Sequence, residues 1–285
     1  MARTRRSGRR PSPGFVGRNP RASEGAHREV RELAVRIAEG VAGRTDAAVL
    51  LAGSWARGAA HEGSDIDLWV VTRKPPRSRH RMLERSGRLV SVKFSTPTEE
   101  HRELRDPSHF DGAVPGWRSA RILRDPRGVA RRLQRDAERF RRSSIRRTVR
   151  RFVADQLAEW AEEVVKLLRA LETGERETAS VLRNLIANRM AFLRLLPLEV
   201  WWTTENGLWE EAGRRAGGEF RRAQRSALGT DGSTWSESCE AALRLYSLTA
   251  RANLRYLSGE NRRVVEAACR RANYPLLRGV RARPN

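Results

Sequence analysis

Two aspartates, two residues apart at the head of an apolar run, constrain this chain more than any other feature. The stretch from Leu50 to Val71 reads LLAGSWARGAAHEGSDIDLWVV. Ala47–Ala52 is a short apolar run that reads as a buried strand, ended by Gly53 and Ser54, and Ile66–Val71 reads as a second strand. On a strand, residues two apart face the same side. Asp65 and Asp67 therefore project together while Ile66 points into a core. Like charges this close repel unless a cation lies between them. Hard oxygen ligands of this kind suit magnesium, which takes one or two carboxylates plus substrate phosphates. Gly53, lacking a Cβ, lets backbone approach a phosphate. Amides of such a turn converge on an anion, and a following helix N-terminus adds its positive end. The Ser54 hydroxyl is a further donor, and Arg57 and Gly58 sit on the turn that follows. The arrangement suits in-line displacement at a phosphoryl centre, with metal stabilising the entering and leaving oxygens. The plain alternative is a pair of aspartates that ends a strand or caps a turn. The strand, Gly-Ser and Arg-Gly units at fixed spacing, followed by the apolar LWVV, argue against it.

Gly53-Ser54-Trp55-Ala56-Arg57-Gly58, followed by Ser64-Asp65-Ile66-Asp67-Leu68, resembles the signature of the DNA polymerase β nucleotidyltransferase superfamily. Within it the motif is most similar to antibiotic-modifying adenylyltransferases and minimal nucleotidyltransferases of bacteria. The motif spans about one-tenth of the chain, and the order of expected elements extends the likeness to roughly Asp125. The resemblance implies a small mixed sheet flanked by helices. It implies triphosphate around Gly53, Ser54, Arg57 and Ser64, and two magnesium ions on Asp65 and Asp67. Such enzymes move a nucleoside monophosphate onto a hydroxyl and release pyrophosphate. The sequence departs from the family on the next core strand, Leu89–Phe94, where a third carboxylate usually stands. Ser91 holds the expected position and Lys93 the second choice, and neither is acidic.

The periodicity predicts a helix over 23–43, strands over 89–94 and Arg121–Leu123, and helices over 128–140, 145–172, 178–196, 236–258 and 260–273. Pro75-Pro76 breaks the chain between the second and third strands. The fold class is thus α+β: a nucleotidyltransferase fold over 23–142, then a helical bundle over 143–277. Residues 1–22 hold seven arginines and no acid, and read as a disordered basic tail, as do 278–285.

The missing carboxylate directs attention to the helical half. Glu162 and Lys166 are four apart and share a helical face. The pair reads as an ordinary surface ion pair, or as a site resembling that of kanamycin-type nucleotidyltransferases, in which the glutamate is the base and the lysine meets the phosphates. Trp201, Trp202 and Trp209 cluster in sequence with Glu199, Glu205, Glu210 and Glu211. Helix packing is the plain reading of these tryptophans. An acidic aromatic pocket for a cationic, aminoglycoside-like acceptor is the alternative. His61, between the Gly-Ser turn and Asp65, reads as a loop residue.

The formal net charge is +23, but 54 of the 57 basic residues are arginine, a skew that fits codon bias in a GC-rich bacterial genome. Basic surface alone supports non-specific contact with nucleic acid and no more. The two cysteines, Cys239 and Cys269, form no C-x-x-C pair, and no apolar run is long enough to span a membrane. The expectation is a cytoplasmic enzyme with a small-molecule acceptor. The alternatives are AMP transfer to a protein, as in antitoxin-type members, and a nucleotide-binding module without catalysis.

Overall fold

The computed structural model describes residues 21–42, 46–202 and 205–274. The two basic tails fall outside these residues, except that the amide of Ala22 donates to Ala60 O at 2.8 Å. Helix α1 (Glu24–Ala42) precedes β1 (Ala48–Leu51), the single turn α2 (Gly53–Ala56) and β2 (Ile66–Val71). Strands β3 (His80–Arg85) and β4 (Arg88–Ser95) follow, then α3 (Pro97–Glu103), α4 (Phe110–Ser119), β5 (Arg121–Arg124) and α5 (Val129–Arg139). The five strands lie in the order β3-β4-β2-β1-β5, with β2 and β4 parallel and the other pairs antiparallel.

Strand β3 has no apolar alternation, because HRMLER is exposed on both sides at the edge of the sheet. Its partner β4 supplies the register, and the two-residue Ser86-Gly87 turn, with φ of 54° and 74°, closes the hairpin. Charged side chains on an edge strand oppose pairing with other chains. Helix α3 starts with a capping box in which Thr96 and Glu99 bond each other's backbone, and Pro97 sets its first turn.

The sheet alternates as a two-sided strand must. Val49, Leu51, Ile66, Leu68, Val70, Val90 and Val92 pack with Val30, Ala34 and Ile37 of α1. On the other face Ala48, Leu50 and Val71 join Phe110, Val114 and Trp117 of α4. That second cluster continues through α5 into the helical half, so the two parts of the chain share one apolar core.

The helical half consists of α6 (Arg146–Glu159), α7 (Ala161–Glu172), α8 (Arg176–Leu195), α9 (Glu205–Arg215), α10 (Gly218–Ala227), α11 (Trp235–Ala252) and α12 (Gly259–Arg271). The stretch read as one helix over 145–172 is two, divided at Trp160. Arg142 ties the parts together. It pairs with Asp111 of α4, donates to Val200 O at 2.5 Å and Leu196 O at 3.4 Å, and lies 4.0 Å from the centre of the Trp201 ring. Among the described residues, no helix is long and apolar enough to cross a membrane.

Candidate active site

Strand β1 delivers the chain to Gly53, which has a φ of 65°. Backbone of this kind favours glycine. Close packing demands it as well, because a Cβ at Gly53 would overlap Asp67 Oδ2 and lie 2.8 Å from its Cγ. The backbone is pinned here by the Ala52 amide, which donates to Asp67 O at 2.8 Å. The Gly-Ser turn and Asp67 thus form one unit. Helix α2 is only one turn long, so its dipole adds little, and anion binding at this point rests on the turn's own amides.

Asp65 is exposed just before β2, Ile66 is fully buried, and Asp67 is half-buried on the face opposite α1. The Asp67 carboxyl is raised to about 6, chiefly by burial and then by neighbouring Asp65, with Arg57 opposing both. The aspartates therefore repel each other, and Arg57 supplies positive charge to the same place. Trp55 is buried under the turn and donates to Ser64 O at 3.2 Å, with the Arg88 guanidinium 5.4 Å from its ring centre. It fastens the Gly-Ser turn to the segment that carries Asp65. The Ser64 hydroxyl closes the intervening loop, accepting from the His61 amide at 3.1 Å and lying 3.0 Å from His61 Nδ1.

The register places Ser91 of β4 directly beside Asp67. The neighbouring strand therefore brings a hydroxyl where a third carboxylate would stand. Two residues further on, Lys93 pairs with Trp69 on the same face. Lys93 Nζ lies 3.0 Å from Glu100 and 2.7 Å from Glu103, and Glu100 also accepts from Trp117 Nε1 at 2.8 Å. These carboxylates raise the lysine against the effect of burial, which is the largest influence on it and lowers it. Sequence reading missed Glu100 and Glu103, although Thr96-Pro97-Thr98-Glu99 announces the helix that carries them.

Beside Trp69 and Lys93 a cleft of about 760 Å³ opens between the sheet and the helical half. Its far wall includes Trp160, Arg189, Phe192, Trp202 and Trp209. Clefts of this size, mostly apolar with a few polar groups, hold small molecules. Trp69 is two residues from Asp67 on the same face, a strand advance of about 7 Å.

Glu162 and Lys166 pair with each other on the surface of α7. Lys166 Nζ is 2.9 Å from both Glu162 and Glu163, and the Glu162 side chain is 71% exposed. Neither residue lines the cleft. Two of the acids near the tryptophans in sequence are also engaged. Glu199 pairs with Arg146, and Glu211 with Arg214 and Arg215. The Glu205 side chain falls outside the described residues, and Glu210 lines a separate hollow with Arg214, Arg221 and Arg225.

Among the described residues, no group of three or more His, Cys, Asp or Glu could hold a metal ion by itself. The donor set at Asp65 and Asp67 still fits a hard divalent ion that completes its shell with phosphate oxygens and water. The mutual repulsion of the pair and the glycine packed against Asp67 agree with that use.

A strand, a glycine turn and paired carboxylates on an open sheet face define the class of a phosphoryl-transfer site on a mixed α+β scaffold. Residues 32–114, which hold the whole arrangement, match the family model described as the nucleotidyltransferase domain. That stretch is therefore similar to a nucleotidyltransferase domain, a class of domain whose substrate is a nucleoside triphosphate. A nucleotidyltransferase-like protein from Exiguobacterium sibiricum, known from its crystal structure, has a similar fold. The TM-score is 0.51 at 14% identity, over 84% of this chain and 80% of that one. The likeness therefore includes much of the helical half as well as the sheet. No curated protein matches the chain significantly.

Proposed function

We propose that the protein moves a nucleoside monophosphate from ATP to a hydroxyl of a small molecule seated in the cleft. The observation that carries this reading is the packing of Gly53 against Asp67, with Asp65 and Arg57 beside them, two residues along β2 from Trp69 in the wall of that cleft. Asp65 and Asp67 would hold magnesium. When bound, the ion neutralises charge on the phosphate oxygens as a Lewis acid. The turn amides at Gly53-Ser54, the Ser54 hydroxyl and the Arg57 guanidinium orient the triphosphate. The walls of the cleft orient the acceptor and exclude water. The acceptor oxygen bonds the α-phosphorus, and the bond from that phosphorus to the pyrophosphate oxygen breaks. The hydroxyl proton passes to solvent, directly or through a base.

Ser91 beside Asp67 favours a second reading, a module that binds metal and triphosphate without turnover. Buried, unpaired Cys239 and Cys269 suit a reducing cytoplasm, where we place the protein. The test is pyrophosphate release from ATP with magnesium and a panel of hydroxyl compounds, alongside calorimetry with a non-hydrolysable triphosphate. Binding that disappears in Asp67→Asn supports the site. Wild-type protein with no magnesium-dependent affinity for triphosphate refutes it, and binding without release under any acceptor selects the second reading.

A further inference from the structure

The cleft walled by Trp69, two residues along β2 from Asp67, has a composition that narrows what it can hold. Its apolar surface comes largely from rings: Trp69 on the sheet side, and Trp160, Phe192, Trp202 and Trp209 on the helical side. Ring walls favour flat partners that stack or meet them edge-on. The charges within it are few. Glu100 and Glu103 are both bound by Lys93, and Glu100 is 1% exposed. His109 faces Asp106 at 3.5 Å.

Arg189 differs from these. Its guanidinium donates to the neutral amide oxygen of Gln156 and lies 5.1 Å from the Phe192 ring centre and 6.0 Å from that of Trp160. Its Nε is buried with no hydrogen-bond partner; Glu159, which accepts from the Gln156 amide nitrogen, is the carboxylate whose charge acts on it, without an ion pair between them among the described residues. A partly desolvated cation of this kind gains from an incoming anion. The protein as a whole carries +23, a field that draws anions and repels cations. Of the glutamates near the tryptophans in sequence, Glu199 and Glu211 are paired with arginines and Glu210 lines a separate hollow.

We infer that the acceptor is a planar, ring-bearing hydroxyl compound with one acidic group, held between the tryptophans of the cleft with its anion against Arg189, and is not a polycation. This rests on the functional reading above and names the substrate class of the same site. The acidic group is a carboxylate or a phosphate-type oxyanion, since a guanidinium takes either through paired donors.

Titration calorimetry on the full chain tests it, with and without magnesium and a non-hydrolysable ATP analogue. The probes are 4-hydroxycinnamate, its uncharged methyl ester, 4-hydroxybenzylphosphonate and kanamycin. Both acidic ring compounds should bind about tenfold or more tightly than the ester. The tighter of the two identifies the oxyanion. Kanamycin should bind more weakly than all three. Arg189→Gln should abolish the preference for the acidic probes and leave the ester unchanged, while Arg189→Lys retains part of it. Trp209→Ala should weaken all three ring probes by about tenfold, because stacking is lost irrespective of charge. Triphosphate affinity should be the same in all of these variants. Kanamycin binding above the ring compounds, or an acidic-to-neutral ratio unaffected by Arg189→Gln, overturns the inference. Ring binding that is absent while triphosphate binding is intact overturns it alone. Loss of triphosphate binding in the wild type overturns the functional reading instead, and the titrations without nucleotide still decide the acceptor.

Discussion

Gly53→Ala is the substitution with the most closely determined outcome. Gly53 sits at φ 65°, where an L-residue costs about 1–2 kcal/mol. The new methyl would also stand 2.8 Å from Asp67 Cγ and 3.2 Å from its Cβ, overlapping Oδ2. The carboxylate must then leave its rotamer, at about 0.5–1.5 kcal/mol. The sum is about 1.5–3.5 kcal/mol, or a fall in Tm of about 3–6 °C for a chain of this size. Affinity for magnesium–triphosphate should fall at least about tenfold, because a displaced carboxylate no longer faces its neighbour. A double-mutant cycle separates the two causes. In an Asp67→Ala background the carboxylate is gone, so Gly53→Ala should cost only the backbone share. Chemical denaturation of the four proteins should give a coupling of about 1 kcal/mol, well above the roughly 0.3–0.5 kcal/mol expected for independent sites. Additive effects would show that Gly53 serves the turn alone and that its contact with Asp67 carries no constraint.

Three further outcomes follow from the same structure. Asp67 is raised from 3.8 to about 6, so the folded metal-free protein holds this proton more tightly than the unfolded chain. Its stability should decline as pH rises from about 4 through 6, by about 2 kcal/mol once solvent screening is allowed for. Asp67→Asn should remove that decline, and equal pH profiles in thermal melts would contradict it. Arg142→Met strands a buried Asp111 and should cost about 3–5 kcal/mol, whereas Arg142→Met with Asp111→Leu should recover most of the loss. Denaturant unfolding checks both, and an unrecovered double variant would place the value of Arg142 in its carbonyl bonds and its stacking on Trp201. Glu162→Gln should change turnover less than about threefold, given its exposure and its pairing with Lys166, while Ser91→Asp, which adds a carboxylate beside Asp67, should raise it. A drop of about two to four orders of magnitude in Glu162→Gln would return that residue to the chemistry as the base.

The sequence alone determined the local and periodic features. Strand β2 was legible because Ile66, Leu68 and Val70 alternate with Asp67 and Trp69, and the alternation follows from the pleat whatever packs on either side. The conjunction of Gly53 with Asp65 and Asp67 was legible because backbone conformation and like-charge repulsion act over a few residues. Strand β3 was not, since an exposed edge strand takes its place from the hydrogen bonds of β4 and not from its own side chains. Tertiary structure alone decided the walls of the site. It took Lys93, Glu100 and Glu103 from two adjoining elements and Arg189 from a helix nearly a hundred residues on, and closed them around one cleft. It also decided the charge of that cleft. The acids near the tryptophans are close to them in the chain, but Glu199 and Glu211 pair with the arginines the packing brings near. Pairing of that kind depends on distance through space, which the order of residues along the chain does not contain.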